Sequence, residues 1–186
     1  MNNASYPKFK LGDQLTPEQI AFFNKNGFIH FSGVASPQEV ADIIRSTEDI
    51  QSKWIREGVK KINGVPIKFG IDENNKTIVH RFCFTSQYCE PVHAFVNSQR
   101  VKALKVLMPD GARIAENEKD GVVFNHYVNT DNSNFRQMGW HTDSMRDIFY
   151  GKKIMPMLNV GLYLDDSSSD KGGLRIIPGT HKQNLF

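Results

Sequence analysis

The amino-acid sequence predicts an α+β fold in a single domain covering residues 1–186. Two helix starts with complete N-capping signals lie early in the chain, and from Gly121 onward helical spacing gives way to short runs of β-branched and aromatic residues. We therefore expect residues 1–120 to form a mainly helical N-terminal layer and residues 121–186 to form a sheet core. With 39% apolar and 23% charged residues, the chain can bury a core of ordinary size.

The two helix starts use the same chemistry. The segments TPEQ at 16–19 and SPQE at 36–39 each supply a hydroxyl N-cap, Pro at the first helical position and Gln or Glu at the third. The first helix is predicted to end near Gly27 and the second near Gly58. Apolar or small residues repeat along the second helix at the spacing of one buried face: Val40, Ile43, Ile44, Thr47, Ile50 and Trp54.

The remaining elements are predicted from shorter patterns. Residues 28–31 form a strand candidate between the first two helices, and residues 91–107 have the apolar spacing of a third helix. Beyond Gly121, runs rich in Val, Ile, Leu, Tyr and Phe alternate with polar turns. They predict four strands, at residues 122–129, 138–143, 157–164 and 174–177.

Composition and charge exclude several classes of protein. The net charge of +3 is spread along the chain, whereas a nucleic-acid-binding protein usually has a dense basic face, so we expect no nucleic-acid partner. No apolar run approaches the length of a membrane span, and the N-terminus lacks the apolar segment of a secretory signal. Cys83 and Cys89 are too few for a disulfide framework, and we expect reduced, buried thiols in a cytoplasmic protein.

The stretch GWHTDS at 139–144 contains the residues most suited to chemistry. On a strand, positions i and i+2 face the same side, so His141 and Asp143 would present an imidazole and a carboxylate together while Thr142 faces away. Such a pair suits a non-haem Fe(II) site or a zinc site. The spacing alone favours an ordinary polar pair at the surface.

Three segments together resemble the phytanoyl-CoA dioxygenase family, in the family's order and approximate spacing. They are LTPEQIAFFNKNGFIHFSGVASPQEVADII at 15–44, GWHTDS at 139–144, and LYLDDSSSDKGGLRIIPGTHK at 162–182. The resemblance implies a double-stranded β-helix, the cupin-like jelly roll, with flanking N-terminal helices. It also implies an oxygenase that depends on Fe(II) and 2-oxoglutarate and hydroxylates an unactivated C–H bond of a small organic substrate with O2, releasing succinate and CO2.

The resemblance assigns roles to particular residues. His141 and Asp143 would be catalytic and hold the iron. Asn125, Tyr127 and Asn129, which share one face of a predicted strand, would contact 2-oxoglutarate, or alternatively form a hydrogen-bonding ladder at a strand end. Asn159 is a further candidate because an amide in an apolar run requires a partner. The other histidines are expected to be structural or at the surface: His30, His80, His93, His126 and His181.

The family's second iron-binding His and the Arg that pairs with 2-oxoglutarate are expected beyond Phe186, so C-terminal strands are expected to be missing from this sequence. Three explanations are open: a piece of a longer enzyme, which we favour, completion by a second chain, or an inactive remnant. Two other functions therefore remain: a non-catalytic binding or scaffold protein of the same fold, and a zinc-dependent hydrolase or isomerase. The expected partner is a small-molecule substrate without nucleic acid or membrane, and the oligomeric state is left open.

Overall fold

The computed structural model describes residues 6–128, 139–143, 156–167 and 173–183. The helices are α1 (Pro17–Asn26), α2 (Pro37–Glu57), α3 (Glu90–Val96) and α4 (Gln99–Ala103), and short 3-10 turns cover Thr85–Gln87, Leu104–Leu107 and Thr180–Lys182. The strands are β1 (Lys8–Phe9), β2 (His30–Phe31), β3 (Lys61–Ile62), β4 (Val65–Pro66), β5 (Lys68–Ile71), β6 (Thr77–Phe82) and β7 (Phe124–Asn125). The fold is thus a mixture of helices and small sheets.

Both predicted helix starts are confirmed. In α1 the backbone N–H of Gln19 donates to Thr16 Oγ1 at 3.2 Å, and the N–H of Thr16 donates to Gln19 Oε1 at 2.9 Å. The same reciprocal pair joins Ser36 and Glu39 at the start of α2. The backbone N–H of Ser36 is the largest cause that lowers the pKa of the Glu39 carboxyl, and an ion pair with Arg100 lowers it further.

Three small sheets form in the described part of the chain. Strands β1 and β2 pair in parallel, β3 and β4 form an antiparallel hairpin, and β5, β6 and β7 form an antiparallel sheet in that order. The predicted strand at 28–31 is therefore confirmed in its second half. The predicted helix at 91–107 is divided into α3, α4 and a 3-10 turn.

The predicted strands beyond Gly121 are mostly wrong where the structure describes them. Within 122–128 only Phe124–Asn125 is a strand, and residues 139–143, 157–164 and 174–177 are not strands. Many of their apolar side chains are exposed, including Tyr163 and Leu174. A strand needs a hydrogen-bonded neighbour, and a period-2 apolar pattern alone does not supply one. No barrel closes among the described residues, so the jelly roll is not confirmed.

The described residues divide into two compact units. Of the described residues, the first unit contains 6–40, 95–113, 158–167 and 173–183, and the second contains 41–94, 114–128, 139–143 and 156–157. In the second unit, Trp54 lies edge-on to Phe82 with ring centroids 5.1 Å apart, and Phe82 contacts Phe124 at 5.4 Å. In the first unit the rings of Tyr6, Phe9, Phe22 and Phe28 form a second aromatic cluster. The aromatic-rich sequence is thus used for packing in each unit.

Helix α1 ends against the Pro-Gly-Thr-His turn. The backbone N–H of Gly179 donates to Asn26 O at 2.8 Å, and His181 Nε2 lies 3.2 Å from Asn24 O. These contacts satisfy carbonyls that a helix end leaves without partners. Gly27 terminates the helix at φ +78°, and a Cβ there would lie 2.2 Å from His181 Nδ1. The structural interpretation of His181 is confirmed.

We expect Gly27→Ala to lower the free energy of unfolding by about 1–2 kcal/mol, because it adds left-handed backbone strain and a clash with His181. Gly58→Ala is the matched control, since Gly58 follows α2 at φ +67° and has open space around its Cβ position. Urea unfolding should show a larger loss of unfolding free energy for Gly27→Ala than for Gly58→Ala. When His181 is also replaced by Ala, the two glycine variants should lose the same amount. Equal losses for both glycine variants would contradict this role of the turn.

None of the helices in the described ranges is long and apolar enough to cross a membrane.

Candidate functional site

His141 and Asp143 lie side by side, as the sequence predicts. His141 Nε2 is 3.2 Å from Asp143 Oδ1, and their side chains are 45% and 51% exposed. The predicted reason was wrong, because the segment is a loop that turns at Asp143 and not a strand. Their proximity therefore arises within a loop and not from a shared strand face.

The protonation of the His141 ring follows from its other contact. Nδ1 lies 2.8 Å from the carbonyl oxygen of Gly139. A carbonyl can only accept, so Nδ1 carries the hydrogen and donates it. The lone pair of a neutral ring is then on Nε2, facing the Asp143 oxygen. Two acceptors in this arrangement repel each other unless a positive charge, either a proton on Nε2 or a metal ion, lies between them.

The donor set fits a small divalent metal ion. Two ligand atoms bound at right angles, each about 2.1 Å from one ion, lie about 3 Å apart, which is close to the observed separation. Histidines that bind metals usually donate their other ring N–H to a carbonyl or carboxylate, and Gly139 provides that acceptor for His141. Within the described ranges, no group of three His, Cys, Asp or Glu side chains is arranged to hold a metal. His141 and Asp143 could therefore offer at most two of the protein ligands that such an ion needs.

A cation that the sequence analysis did not single out lies next to Asn125. Strands β6 and β7 pair Arg81 with Asn125. The adjacent His126 N–H donates to His80 O at 2.8 Å, so Arg81 and Asn125 form the non-hydrogen-bonded pair, whose side chains are closest. Arg81 NH2 donates to Asp120 Oδ2 at 2.6 Å, and this restrains the guanidinium. No local sequence pattern signals this pairing, because the two strands lie far apart in the chain.

The other candidate residues have different surroundings. Asn125 is exposed on β7, and Tyr127 is 56% exposed beyond the end of that strand. Asn129 lies outside the described residues. Asn159 is exposed and belongs to the first unit, so the expectation of a buried amide is wrong. The apolar run around it is not a buried strand, and its amide therefore does not need a protein partner to offset burial.

Two other histidines have notable neighbours in the second unit. His93 Nδ1 lies 3.3 Å from Glu116 Oε2, so His93 does have the carboxylate companion that the sequence analysis did not find. The buried ring of His80 fills the space over Gly70, where a Cβ would lie 1.7 Å from Nε2. Burial lowers the pKa of His80, and the nearby His126 lowers it further. His80 is therefore a ring packed in the core, where burial disfavours its charged form.

Both cysteines are buried and free, as expected. Burial raises the pKa of the Cys89 thiol, whose sulfur lies 3.7 Å from Ser46 O. Burial also raises the pKa of Cys83, although the neighbouring Arg81 acts in the opposite direction. Neither thiol has the exposed, electropositive surroundings of a reactive cysteine.

Comparison with known proteins gives one match. No curated protein and no solved structure matches the chain. The family model described as phytanoyl-CoA dioxygenase (PhyH) matches residues 23–186, which include α1 from its middle, all of β6 and β7, and the His141–Asp143 pair. The match covers most of the sequence, and the chain therefore belongs to the phytanoyl-CoA dioxygenase family.

Proposed function

We propose that the protein is an Fe(II)- and 2-oxoglutarate-dependent dioxygenase that hydroxylates an unactivated C–H bond of a small organic molecule. Membership of the phytanoyl-CoA dioxygenase family supports an enzyme of the dioxygenase kind, because members of this family are generally oxygenases with these two requirements. The proposal includes the family's jelly-roll core and a cytoplasmic location. A small-molecule substrate is proposed, without nucleic acid or a membrane as partner.

The observation that carries this proposal is the approach of His141 Nε2 to Asp143 Oδ1 at 3.2 Å, with Nδ1 held by Gly139 O. In this arrangement His141 offers a neutral nitrogen and Asp143 an anionic oxygen to the same point. When bound, Fe(II) and 2-oxoglutarate supply the activation of O2, which gives one oxygen atom to succinate and the other to the substrate. The Gly139 carbonyl fixes the ring tautomer, so the ligand nitrogen needs no rearrangement on metal binding.

For the cosubstrate we propose contacts from Asn125, Tyr127 and Asn129. Asn125 has the strongest support, because it is exposed and its cross-strand neighbour is Arg81. An amide beside a restrained guanidinium can donate a hydrogen bond to a carboxylate in a region of positive potential. Asp120 offsets part of that charge, so Arg81 favours an anion near Asn125 without binding it strongly.

The test is succinate formation. The complete protein, with the third iron ligand and the cosubstrate Arg expected from the family, should produce succinate and CO2 when it is incubated in air with Fe(II) and 2-oxoglutarate, and EDTA should stop production because it removes the metal. Fe(II) should restore activity after EDTA, whereas Zn2+ should not. Metal binding without succinate would favour the non-catalytic binding or scaffold function, and a hydrolytic activity supported by Zn2+ would favour the hydrolase. Either outcome would overturn the proposal.

A further inference from the structure

A groove in the second unit carries charges that the proposed function does not use. It has a volume of about 370 Å³ and lies between α2 and the start of β6. This volume is at the lower end of the range for small-molecule sites. Its lining consists of Gln51, Ser52, Ile55, Arg56, Lys76 and Thr77. Two cations and two hydroxyls therefore surround one concave surface.

The two cations are not neutralised within the described part of the chain. Neither Arg56 nor Lys76 forms an ion pair there, whereas Arg45, Arg81 and Arg100 each have a carboxylate partner. The acids nearest to these cations along the chain are Glu57, which follows Arg56, and Asp72 and Glu73, which precede Lys76. Asp72 Oδ1 accepts the backbone N–H groups of Asn74 and Lys76, and none of the three carboxylates forms an ion pair with either cation in the described part of the chain. The charged groups of Arg56 and Lys76 thus remain available to an anionic ligand.

The walls of the groove are held in place. Gln51 Oε1 accepts the Val79 N–H at 2.7 Å, which joins α2 directly to β6. The turn before β6 is closed by the Asp72 N–H, which donates to Lys76 O at 2.9 Å. Ile55 packs on the buried core and forms the apolar part of the lining. A ligand would therefore meet backbone positions that are already fixed, which reduces the ordering cost of binding.

We propose that this groove binds the phosphate group of a small molecule. Arg56 and Lys76 have no carboxylate partner in the described part of the chain, and a phosphate would supply the negative charge that pairs with them. Its oxygens can accept hydrogen bonds from a guanidinium, an ammonium and the two hydroxyls. The site is open to solvent, since Arg56 and Lys76 are exposed, so binding is weak, with a dissociation constant on the order of millimolar. The proposal does not depend on the function of His141 and Asp143.

The experiment follows backbone amide NMR shifts during titration with inorganic phosphate and with glycerol phosphate, at ionic strength held constant with sodium chloride. We expect saturable shifts at Ser52, Arg56 and Thr77, and no such shifts with glycerol. Arg56→Gln and Lys76→Gln should each weaken binding by about 5-fold or more, and the double variant should not saturate. Lys53→Gln is the matched control, because Lys53 is an exposed cation of α2 outside the groove, and it should change binding by less than about 2-fold.

Two results would overturn the proposal. Shifts that rise linearly with phosphate, or that sodium chloride alone reproduces, would indicate general screening and not a site. An unchanged dissociation constant in the double variant would show that the groove cations do not bind the anion. Because both side chains are exposed, these variants should fold normally, and circular dichroism checks this point.

Discussion

Replacing His141 or Asp143 by Ala is expected to abolish 2-oxoglutarate turnover, with a loss of more than about 100-fold, because each change removes a direct metal ligand. The fold should be unchanged, since about half of each side chain is exposed and neither belongs to the buried core. Succinate formation measures the activity, and equilibrium dialysis with Fe(II) under nitrogen measures how tightly each variant binds the metal. Both readouts should fall together in each variant.

His93→Ala provides the matched control. His93 is also a half-exposed histidine close to a carboxylate, with Nδ1 3.3 Å from Glu116 Oε2. It differs in that its carboxylate neighbour lies 23 residues away in the sequence, and this pair is not proposed as a metal site. His93→Ala should retain normal turnover and normal iron binding. The assignment of the metal site fails if His141→Ala turns over as fast as the His93→Ala control.

Asp143→Asn separates the two explanations of the His141–Asp143 contact. A metal ion and a proton on Nε2 would each relieve the repulsion between the two acceptors, and both are attracted by the carboxylate charge. The amide keeps the shape of the side chain but removes that charge. If the pair is a metal site, iron binding should fall in Asp143→Asn almost as far as in Asp143→Ala. If it is only a surface ion pair, neither variant should alter iron binding or turnover.

The helices could be predicted from the sequence because their signals are local. The capping boxes at Thr16 and Ser36 involve residues three positions apart, and the helix ends at Gly27 and Gly58 depend on a single backbone angle each. Information of this kind is contained in four or five consecutive residues. Tertiary packing does not need to be known to read it.

One hairpin could have been predicted and was missed. Asn63 and Gly64 both have positive φ, at 47° and 82°, and they connect β3 to β4. An Asn-Gly pair between two short apolar runs is a strong hairpin signal, because both residues tolerate the left-handed angles of the tight turn. The expectation of a mainly helical layer over residues 1–120 does not include this hairpin, nor the antiparallel pair β5 and β6 that follows it.

The site was predictable in its residues but not in its surroundings. The spacing of two predicts the proximity of His141 and Asp143, although their contact lies within a loop and not on a strand. By contrast, the pairing of Arg81 with Asn125 joins positions 44 residues apart in sequence, and it depends on which strands become neighbours. Asn159 shows the same limit, since its exposure depends on tertiary partners that an apolar run does not specify.

Phe82→Ala is expected to lower the free energy of unfolding of the second unit by about 3–5 kcal/mol. Phe82 is 1% exposed, and its ring contacts Trp54 on α2 and Phe124 on β7. Removing the ring leaves a cavity between α2 and β7. Strand β7 has only two residues, so it cannot move to fill the cavity without losing its pairing with β6. Urea unfolding, followed by Trp fluorescence, measures the loss because Trp54 lies against the deleted ring.

The effect of Phe82→Ala should also extend to the proposed cosubstrate residue. Phe82 pairs with Phe124, and the next pair is Arg81 with Asn125, so loosening β7 removes the positioning of the Asn125 amide. Ile71→Ala is the control on the same sheet, since Ile71 is 40% exposed at the end of β5 and should cost less than about 1 kcal/mol. At a temperature where Phe82→Ala remains folded, it should require more 2-oxoglutarate for half-maximal succinate formation, while Ile71→Ala should not. Equal stability losses in the two variants would show that the Trp54–Phe82–Phe124 contacts do not form the core that holds β7 in place.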